Sequence, residues 1–273
     1  MSGLETIYYP QDEMATPLLP VTTGCSYNKC AFCAMYKGIS YSEVPFSEIE
    51  TQLRHFNVNT EKVFLTGADP TAIGFHRMKR ILEMIGHYLP YCACVASYAS
   101  IRNISQYTVE ELSILHDAGL RLLYIGFESG SDETLTLMKK PHRVKDAIEQ
   151  ARKLNQARLP FHTIIMLGIA GAGKSSENAL ATAEMINQFV TNRVITMNLM
   201  VFGGTELERM SIRGEFIPAT RRELLLEIKI LLDRLQPEKS LIFDTTHPSN
   251  LIHVKGTLPQ DKNRLLENIE QFL

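Results

Sequence analysis

The chain has 273 residues, of which 45% are hydrophobic and 21% charged, and its formal net charge is −2 at pH 7. This is an ordinary globular composition, and the charge excludes a global field that would attract polyanions. No apolar run reaches the ~18 residues that a membrane span needs. The start, MSGLETIYYPQDEM, lacks the basic and apolar regions of a signal peptide, so a cytoplasmic protein is predicted.

Strand-like and helix-like stretches alternate up to residue 204. Six apolar runs predict strands, at 16–24, 62–70, 92–100, 121–130, 160–173 and 194–204. Helix-like stretches separate these runs, and this pattern predicts repeated βα units with a parallel sheet. The loops at the carboxyl ends of such strands form active sites. We therefore expect the polar or glycine-rich segments there to converge: 24–33, 66–71, 97–103, 128–131, 168–175 and 203–206.

The end of the chain has a different pattern. The stretch RRELLLEIKILLDRL (221–235) predicts a strongly amphipathic helix, residues 240–262 predict strand and loop, and NRLLENIEQFL (263–273) predicts a closing helix. We therefore expect a core over residues 1–210 and an extension over residues 211–273 that closes it.

Three of the five cysteines, Cys25, Cys30 and Cys33, lie within nine residues on the loop after the first predicted strand. An odd number of cysteines placed so unevenly does not indicate a disulfide framework. Thiolates hold iron–sulfur clusters, and three on one loop can bind three irons of a four-iron cluster while the fourth iron takes another ligand. This pattern favours a [4Fe–4S] site.

Other interpretations of the cysteines remain. Zinc usually takes four protein ligands, or three and a water, and no fourth ligand follows Cys33 at a usual spacing. The three thiols could also merely pack, although free cysteines are normally dispersed and buried. Cys92 and Cys94 share one face of a predicted strand, which is more typical of buried thiols than of metal ligands.

The cysteine segment GCSYNKCAFC (24–33) resembles that of the radical S-adenosylmethionine (radical SAM) superfamily. The first gap has four residues instead of the common three, so the motif here is CX4CX2C. TGADP (66–70) resembles a glycine-rich segment of the family, and GFESGSDETLTLMKK (126–140) resembles Elp3-type and coproporphyrinogen-dehydrogenase-type members. HPSNLIHVKGTLPQDK (247–262) resembles the end of a short subgroup. The resemblance covers nearly the whole chain and implies an α/β fold, a partial (β/α)6 TIM-like barrel with a C-terminal extension.

The resemblance also implies a [4Fe–4S] cluster on Cys25, Cys30 and Cys33, with SAM bound beside it. The implied SAM contacts come from the ends of several strands and from the cysteine loop: Phe32, Gly67, Ala68, Asp69, Ser97, Glu128, Lys140, Gly168 and Ile169. An aromatic ring can pack on adenine, a carboxylate accepts ribose hydroxyls and an ammonium pairs with the SAM carboxylate. For Glu128 and Lys140, solvated charges at a strand end and a helix end are the alternatives.

The implied reaction begins when one electron cleaves SAM to methionine and a 5′-deoxyadenosyl radical, which abstracts hydrogen from a substrate. The radical chemistry belongs to the cofactor, while the protein binds, orients and excludes side reactions. Such an oxygen-sensitive enzyme needs a reductase, flavodoxin or ferredoxin as electron donor.

The substrate is expected to be a small molecule or peptide, since no nucleic-acid-binding module is recognised. Position suggests a substrate pocket lined by Tyr27, Tyr36, Asn198, His247, Asn250 and Lys255, although Pro-Ser-Asn (248–250) is also typical of a surface turn.

A second motif competes with this interpretation. GIAGAGKS (168–175) matches the phosphate-binding P-loop pattern and follows a predicted strand, and SLIFD (240–244) resembles a Walker-B strand that ends at Asp244. However, a P-loop in the fifth βα unit leaves only ~100 residues for the rest of a nucleotide-hydrolysing domain, and it leaves the cysteines unexplained. A P-loop NTPase and a non-catalytic iron–sulfur electron-transfer protein are therefore the alternatives. In the radical SAM interpretation, Gly168 and Gly171 admit the adenosyl group and Lys174 is dispensable.

Overall fold

A computed structural model describes residues 9–273. The first eight residues, part of the segment in which no signal peptide was recognised, lie outside this description. The strands are β1 Leu18–Pro20, β2 Thr22–Thr23, β3 Ser42–Glu43, β4 Lys62–Thr66, β5 Cys94–Ala99, β6 Leu120–Glu128, β7 Phe161–Leu167, β8 Arg193–Asn198, β9 Leu241–Asp244 and β10 Lys255–Leu258. The helices are α1 Phe46–His55, α2 Phe75–Tyr88, α3 Ile101–Ile104, α4 Val109–Asp117, α5 Asp132–Leu137, α6 Val144–Gln156, α7 Ser175–Ile186, α8 Glu206–Ile212, α9 Arg221–Arg234 and α10 Lys262–Glu270. All six predicted strands and the two predicted C-terminal helices are thus present.

The chain forms two compact units. The first unit contains the residues up to Asn28 together with Met35–Tyr124 and Gln156–Leu159. The second unit contains Lys29–Ala34, Ile125–Asn155 and Pro160–Leu273. Strand β6 begins in the first unit and ends in the second. Both units are therefore assembled from segments that are distant in the sequence.

In the first unit, the strand order is β1-β4-β5 followed by the start of β6. Strands β1, β4 and β5 pair in parallel. Phe64, Tyr98 and Tyr124 pack edge to face, with ring centroids 5.2–6.2 Å apart, an arrangement that aromatic quadrupoles favour. A capping box between Thr108 and Glu111 begins α4.

In the second unit, the strand order is the end of β6, then β7-β8-β9-β10. Strands β7, β8 and β9 pair in parallel, whereas β10 is antiparallel to β9. The predicted extension therefore contributes two strands to the sheet. Helix α9 begins at a capping box between Thr220 and Glu223. The predicted α/β class with a mostly parallel sheet is confirmed, and no helix within residues 9–273 is long and apolar enough to cross a membrane.

Candidate functional site

The second half of the cysteine loop is held by the backbone of Ala31 in the second unit. The Ala31 N–H donates to the carbonyl of Met138 at 2.9 Å, and its carbonyl accepts the N–H of Leu207 at 2.9 Å. Ala31 is fully buried, so these bonds are shielded from water. Cys30 and Cys33 therefore flank a fixed point of the loop.

A hydrophobic cluster surrounds this fixed point. Its buried members are Ala31, Met138, Ile169, Leu207, Met210 and Phe216, with Phe32, Leu137, Met166 and Leu199 packed against them. Phe32 from the cysteine loop and Ile169 from the loop after β7 are distant in the sequence. The cluster brings together these two residues, both of which the sequence assigns to the cofactor site.

Glu128 ends β6 in a strained conformation with a positive φ of 67°, which is uncommon outside glycine. Its Oε1 accepts from Lys140 Nζ at 3.0 Å, and the two side chains are 10% and 11% exposed. Its Oε2 is buried and has no hydrogen-bond partner among the described residues. A solvated charge is thereby excluded for both residues. A buried acceptor without a donor is expensive and suits a ligand hydroxyl.

Lys140 also faces the cysteine loop. Its Nζ lies 6.0 Å from the centroid of the Phe32 ring, within the range of a cation–π contact. Burial alone would lower the pKa of this ammonium, but the charges of Glu128, Cys30 and Cys33 outweigh it and raise the pKa above its usual range. Lys140 therefore stays charged, and with Phe32 and Glu128 it forms the best-defined part of the site.

The start of the cysteine loop lies in the first unit and folds around Asn28. Asn28 has a positive φ of 49°, which Asn tolerates better than most residues. Its N–H donates to Cys25 Sγ at 3.3 Å, and its Nδ2 donates to the Tyr36 carbonyl at 2.8 Å. The four-residue gap before Cys30 thus contains a left-handed turn. Hydrogen bonds to ligand sulfurs tune iron–sulfur clusters in general, and sequence reasoning missed the contact between Asn28 and Cys25.

Asp69, one of the predicted contacts to SAM, has hydrogen-bond partners in the first unit. Its Oδ1 accepts from the N–H and hydroxyl of Thr71, and its Oδ2 accepts from Asn103 Nδ2 at 2.5 Å. Asn103 Nδ2 also donates to Ser26 Oγ at 3.2 Å. The carboxylate therefore links the end of β4 to the residue after Cys25. The contact of Asp69 with SAM stays a prediction.

The other predicted positions of the first unit serve packing as well. Gly67 has φ +125°, and a side chain there would meet the carbonyl oxygen of Thr22 at 2.9 Å, so only glycine fits without strain. Ala68 is half-buried. Ser97 is fully buried and donates to the Tyr98 carbonyl at 2.8 Å. The contacts of these residues with SAM stay predictions.

The cysteines also stay a predicted ligand set. Within residues 9–273, no group of three or more His, Cys, Asp or Glu side chains is arranged to hold a metal ion. The donor chemistry nevertheless fits a cluster, because the thiols are half-buried and a buried ammonium faces two of them. The binding free energy of a metal centre can order its own ligand loop, so we expect the sulfurs to converge when iron binds.

Three of the predicted pocket residues come together at the end of β8. The Asn198 N–H donates to Ser249 Oγ at 3.0 Å, and that hydroxyl lies 2.8 Å from His247 Nδ1. Asn250 Nδ2 donates to the carbonyls of Thr196 at 2.7 Å and Thr245 at 2.9 Å. The Oδ1 atoms of both asparagines are buried without a partner among the described residues. They are acceptors that a bound ligand can use.

The remaining pocket residues are placed differently. Lys255 is 43% exposed and pairs with Asp244 Oδ2 at 3.3 Å on the neighbouring strand. Tyr36 is buried, and Tyr27 is half-buried with the Arg102 guanidinium 5.7 Å from its ring centroid, both in the first unit. The surface-turn alternative for residues 248–250 is excluded for Asn250, because that side chain is buried.

The P-loop-like segment has its backbone donors engaged by the protein itself. The Gly168 N–H donates to Glu227 Oε2 at 2.8 Å, and the Gly173 N–H donates to Glu223 Oε1 at 2.5 Å. The Ala172 N–H donates to the Ile217 carbonyl at 2.8 Å. A phosphate-binding loop needs such N–H groups for its ligand. Here two carboxylates from α9 take that place, so the NTPase alternative is not supported.

The glycines of this segment also have a packing explanation. Gly168 has φ +74°, and a side chain there would meet Leu224 Cδ2 at 2.7 Å. Gly171 has φ +83° and lies against the carbonyl of Ile217. Asp244, the Walker-B-like residue, pairs instead with Arg193 at 3.4 Å. Close approach of α9 and the segment before it is therefore a packing explanation for both glycines, and the approach of the adenosyl group stays a prediction.

Lys174→Ala is expected to leave SAM affinity, iron content and melting temperature unchanged. The Lys174 ammonium lies 2.5 Å from Glu133 with both side chains more than half exposed, and exposed pairs contribute little. Equilibrium dialysis with SAM and, separately, with ATP measures the outcome. Tight ATP binding that this substitution abolishes would instead restore the NTPase interpretation.

Comparison with known proteins identifies a family whose model matches this chain. The model of the Radical SAM superfamily matches residues 19–183. The chain is 25% identical over 199 residues to the heme chaperone HemW of Bacillus subtilis (strain 168), which covers 65% of this chain and 52% of that protein. The chain thus spans about half the length of this relative. It also matches a tRNA uridine(34) acetyltransferase from Methanocaldococcus infernus, of which it covers 22%.

Solved structures show the same fold at low sequence identity. The archaeal Elp3 of Methanocaldococcus infernus, with an N-terminal deletion, has a TM-score of 0.59 at 17% identity and covers 94% of this chain and 62% of that chain. The coproporphyrinogen III oxidase HemN of Escherichia coli has a TM-score of 0.57 at 13% identity and covers 80% of this chain and 50% of that chain. The predicted partial-barrel class and its resemblance to these two types are confirmed.

Proposed function

The chain belongs to the radical SAM superfamily, and on that premise we propose that it is a cytoplasmic enzyme that binds a [4Fe–4S] cluster and SAM and abstracts hydrogen from a substrate. The observation that carries the proposal is the buried Glu128–Lys140 pair beside the cysteine loop, with its unused Glu128 Oε2. Such a pair needs a partner for that oxygen, and SAM offers ribose hydroxyls, a carboxylate and an adenine within one molecule.

Each residue then has a defined task. Cys25, Cys30 and Cys33 hold the cluster, which supplies, when bound and reduced, the electron that cleaves the S–C5′ bond of SAM. Glu128 Oε2 accepts the ribose hydroxyls, and Lys140 pairs with the SAM carboxylate. Phe32 packs on the adenine, and the hydrophobic cluster behind it excludes water from that side of the site.

The substrate is proposed to be a small molecule or peptide that carries N–H or O–H donors. The support is the pair of buried amide oxygens, Asn198 Oδ1 and Asn250 Oδ1, which have no donor among the described residues. In this proposal, residues 1–210 bind the cofactors and residues 211–273 cover the substrate side. A reductase, flavodoxin or ferredoxin supplies the electron.

Anaerobic reconstitution with iron and sulfide, followed by SAM and dithionite, tests the proposal. We expect close to four irons per chain and the release of 5′-deoxyadenosine and methionine, measured by chromatography. A protein that binds four irons but produces no 5′-deoxyadenosine above the SAM-only control would contradict the enzymatic claim. Absence of iron binding in a folded chain would contradict the cofactor assignment itself.

A further inference from the structure

A chain of buried hydrogen bonds joins the loop after β6 to the loop after β7. Ser129 Oγ donates to Asn178 Oδ1 at 2.5 Å, and Asn178 Nδ2 donates to Glu227 Oε1 at 2.8 Å. Glu227 Oε2 accepts the N–H of Gly168 at 2.8 Å. The three side chains are no more than 3% exposed. The loops after β6 and β7 are therefore connected through α7 and α9 by one path, all within the second unit.

Both ends of this path lie next to residues assigned to SAM. Ser129 directly follows Glu128, whose Oε2 has no partner among the described residues. Gly168 directly precedes Ile169, which packs in the hydrophobic cluster with Ala31 and Phe32. The path therefore fixes the position of the ribose-binding carboxylate relative to the apolar wall of the site.

Burying a carboxyl group in this path is energetically unfavourable, so packing alone does not explain why it is there. Glu227 lies in the run LLLEIKILL (224–232) of α9, in which Lys229 is the other charged residue. Burial raises the pKa of the Glu227 carboxyl to about 7, against the hydrogen bonds from Asn178 and Gly168. A leucine would fill the same space without the desolvation penalty of a carboxyl group. What a leucine cannot do is accept from two groups at once and so connect two loops.

We propose that Ser129, Asn178 and Glu227 are positioning residues that hold the Glu128 and Ile169 loops at the separation that SAM requires. The inference rests on the proposed function, because it assumes that both loops contact SAM. A binding site whose loops are already fixed loses less conformational freedom when the ligand binds. Breaking the path therefore weakens SAM binding while the chemistry of the bound complex is retained.

The test compares Ser129→Ala, Asn178→Ala and Glu227→Gln with the wild type, all loaded with the cluster. The dissociation constant for SAM, from anaerobic equilibrium dialysis, is expected to rise about tenfold for Asn178→Ala and Glu227→Gln, as the loss of one buried hydrogen bond predicts. A smaller rise is expected for Ser129→Ala. The rate of 5′-deoxyadenosine formation at saturating SAM is expected to stay within about twofold of the wild type.

Asn187→Ala is the matched control. Asn187 follows α7 and also connects to the region after α9, since its Nδ2 donates to the Arg234 carbonyl at 2.9 Å and its Oδ1 accepts the Gln236 N–H at 2.7 Å. Neither bond reaches the loops after β6 or β7. Asn187 is exposed, so this variant is expected to lose less stability than Asn178→Ala and to keep the wild-type affinity for SAM.

The outcomes distinguish a failure of the proposed function from a failure of the positioning role. If the cluster-loaded wild type does not bind SAM, the proposed function fails. If the wild type binds SAM and the path variants bind it equally well at equal cluster content, the positioning role is overturned. Ser129→Ala removes a single hydroxyl, so this comparison remains possible even where Asn178→Ala or Glu227→Gln fails to fold.

Discussion

Cys30→Ala is expected to abolish cluster binding and to reduce 5′-deoxyadenosine formation to background. The reason is the ligand count: three thiolates leave one iron of a four-iron cluster for SAM, whereas two cannot retain the cluster. The neighbouring Ala31 is anchored by its own backbone bonds, so the loop keeps its attachment without the thiol. Iron and sulfide per chain after anaerobic reconstitution measure the first effect, and chromatography of the reaction mixture measures the second.

Cys92→Ala is the control for this prediction. Burial raises the pKa of the Cys92 thiol, and its Sγ donates to the Cys94 carbonyl at 3.6 Å, so it stays a protonated, structural thiol. This variant is expected to keep the full iron content and activity. A folded Cys30→Ala protein, judged by circular dichroism, that binds as much iron as the wild type would remove Cys30 from the ligand set.

Lys140→Met is expected to weaken SAM binding by about 10- to 100-fold, the range for a hydrogen bond to a charged group. The substitution removes the cation that pairs with the SAM carboxylate and leaves Glu128 as an uncompensated buried charge, which is strongly unfavourable. Equilibrium dialysis of the cluster-loaded protein measures the affinity. The double variant Glu128→Gln, Lys140→Met carries no buried charge at the pair and separates lost stability from lost affinity.

The adjacent lysine provides the control. The Lys139 side chain is 52% exposed, and its ammonium lies 3.7 Å from Glu206. Lys139→Met is therefore the same substitution one residue away, at a surface ion pair that contributes little to stability. It is expected to bind SAM like the wild type. Equal SAM affinities for the Lys139 and Lys140 variants would show that the buried pair has no part in cofactor recognition.

The part of the site that could be predicted depends on local patterns. The cysteine loop, Glu128 and Lys140 lie in short segments whose spacing is characteristic, and their pairing across twelve residues follows from one strand–loop–helix unit. Asp69 was predicted as a contact to SAM because TGADP (66–70) resembles a segment of the family. That side chain also accepts from Asn103 Nδ2, 34 residues further on, and nothing in either segment indicates this hydrogen bond.

The amino-acid sequence was enough to recognise the family, because a three-cysteine loop and a succession of βα units are local features that do not depend on the rest of the fold. It also placed the strands, since their apolar runs end at glycines and polar residues. The surroundings of GIAGAGKS (168–175), by contrast, are visible only in the folded chain. Whether backbone N–H groups are available to a phosphate depends on what packs against them, and the carboxylates of Glu223 and Glu227 reach them from 50 and 59 residues away.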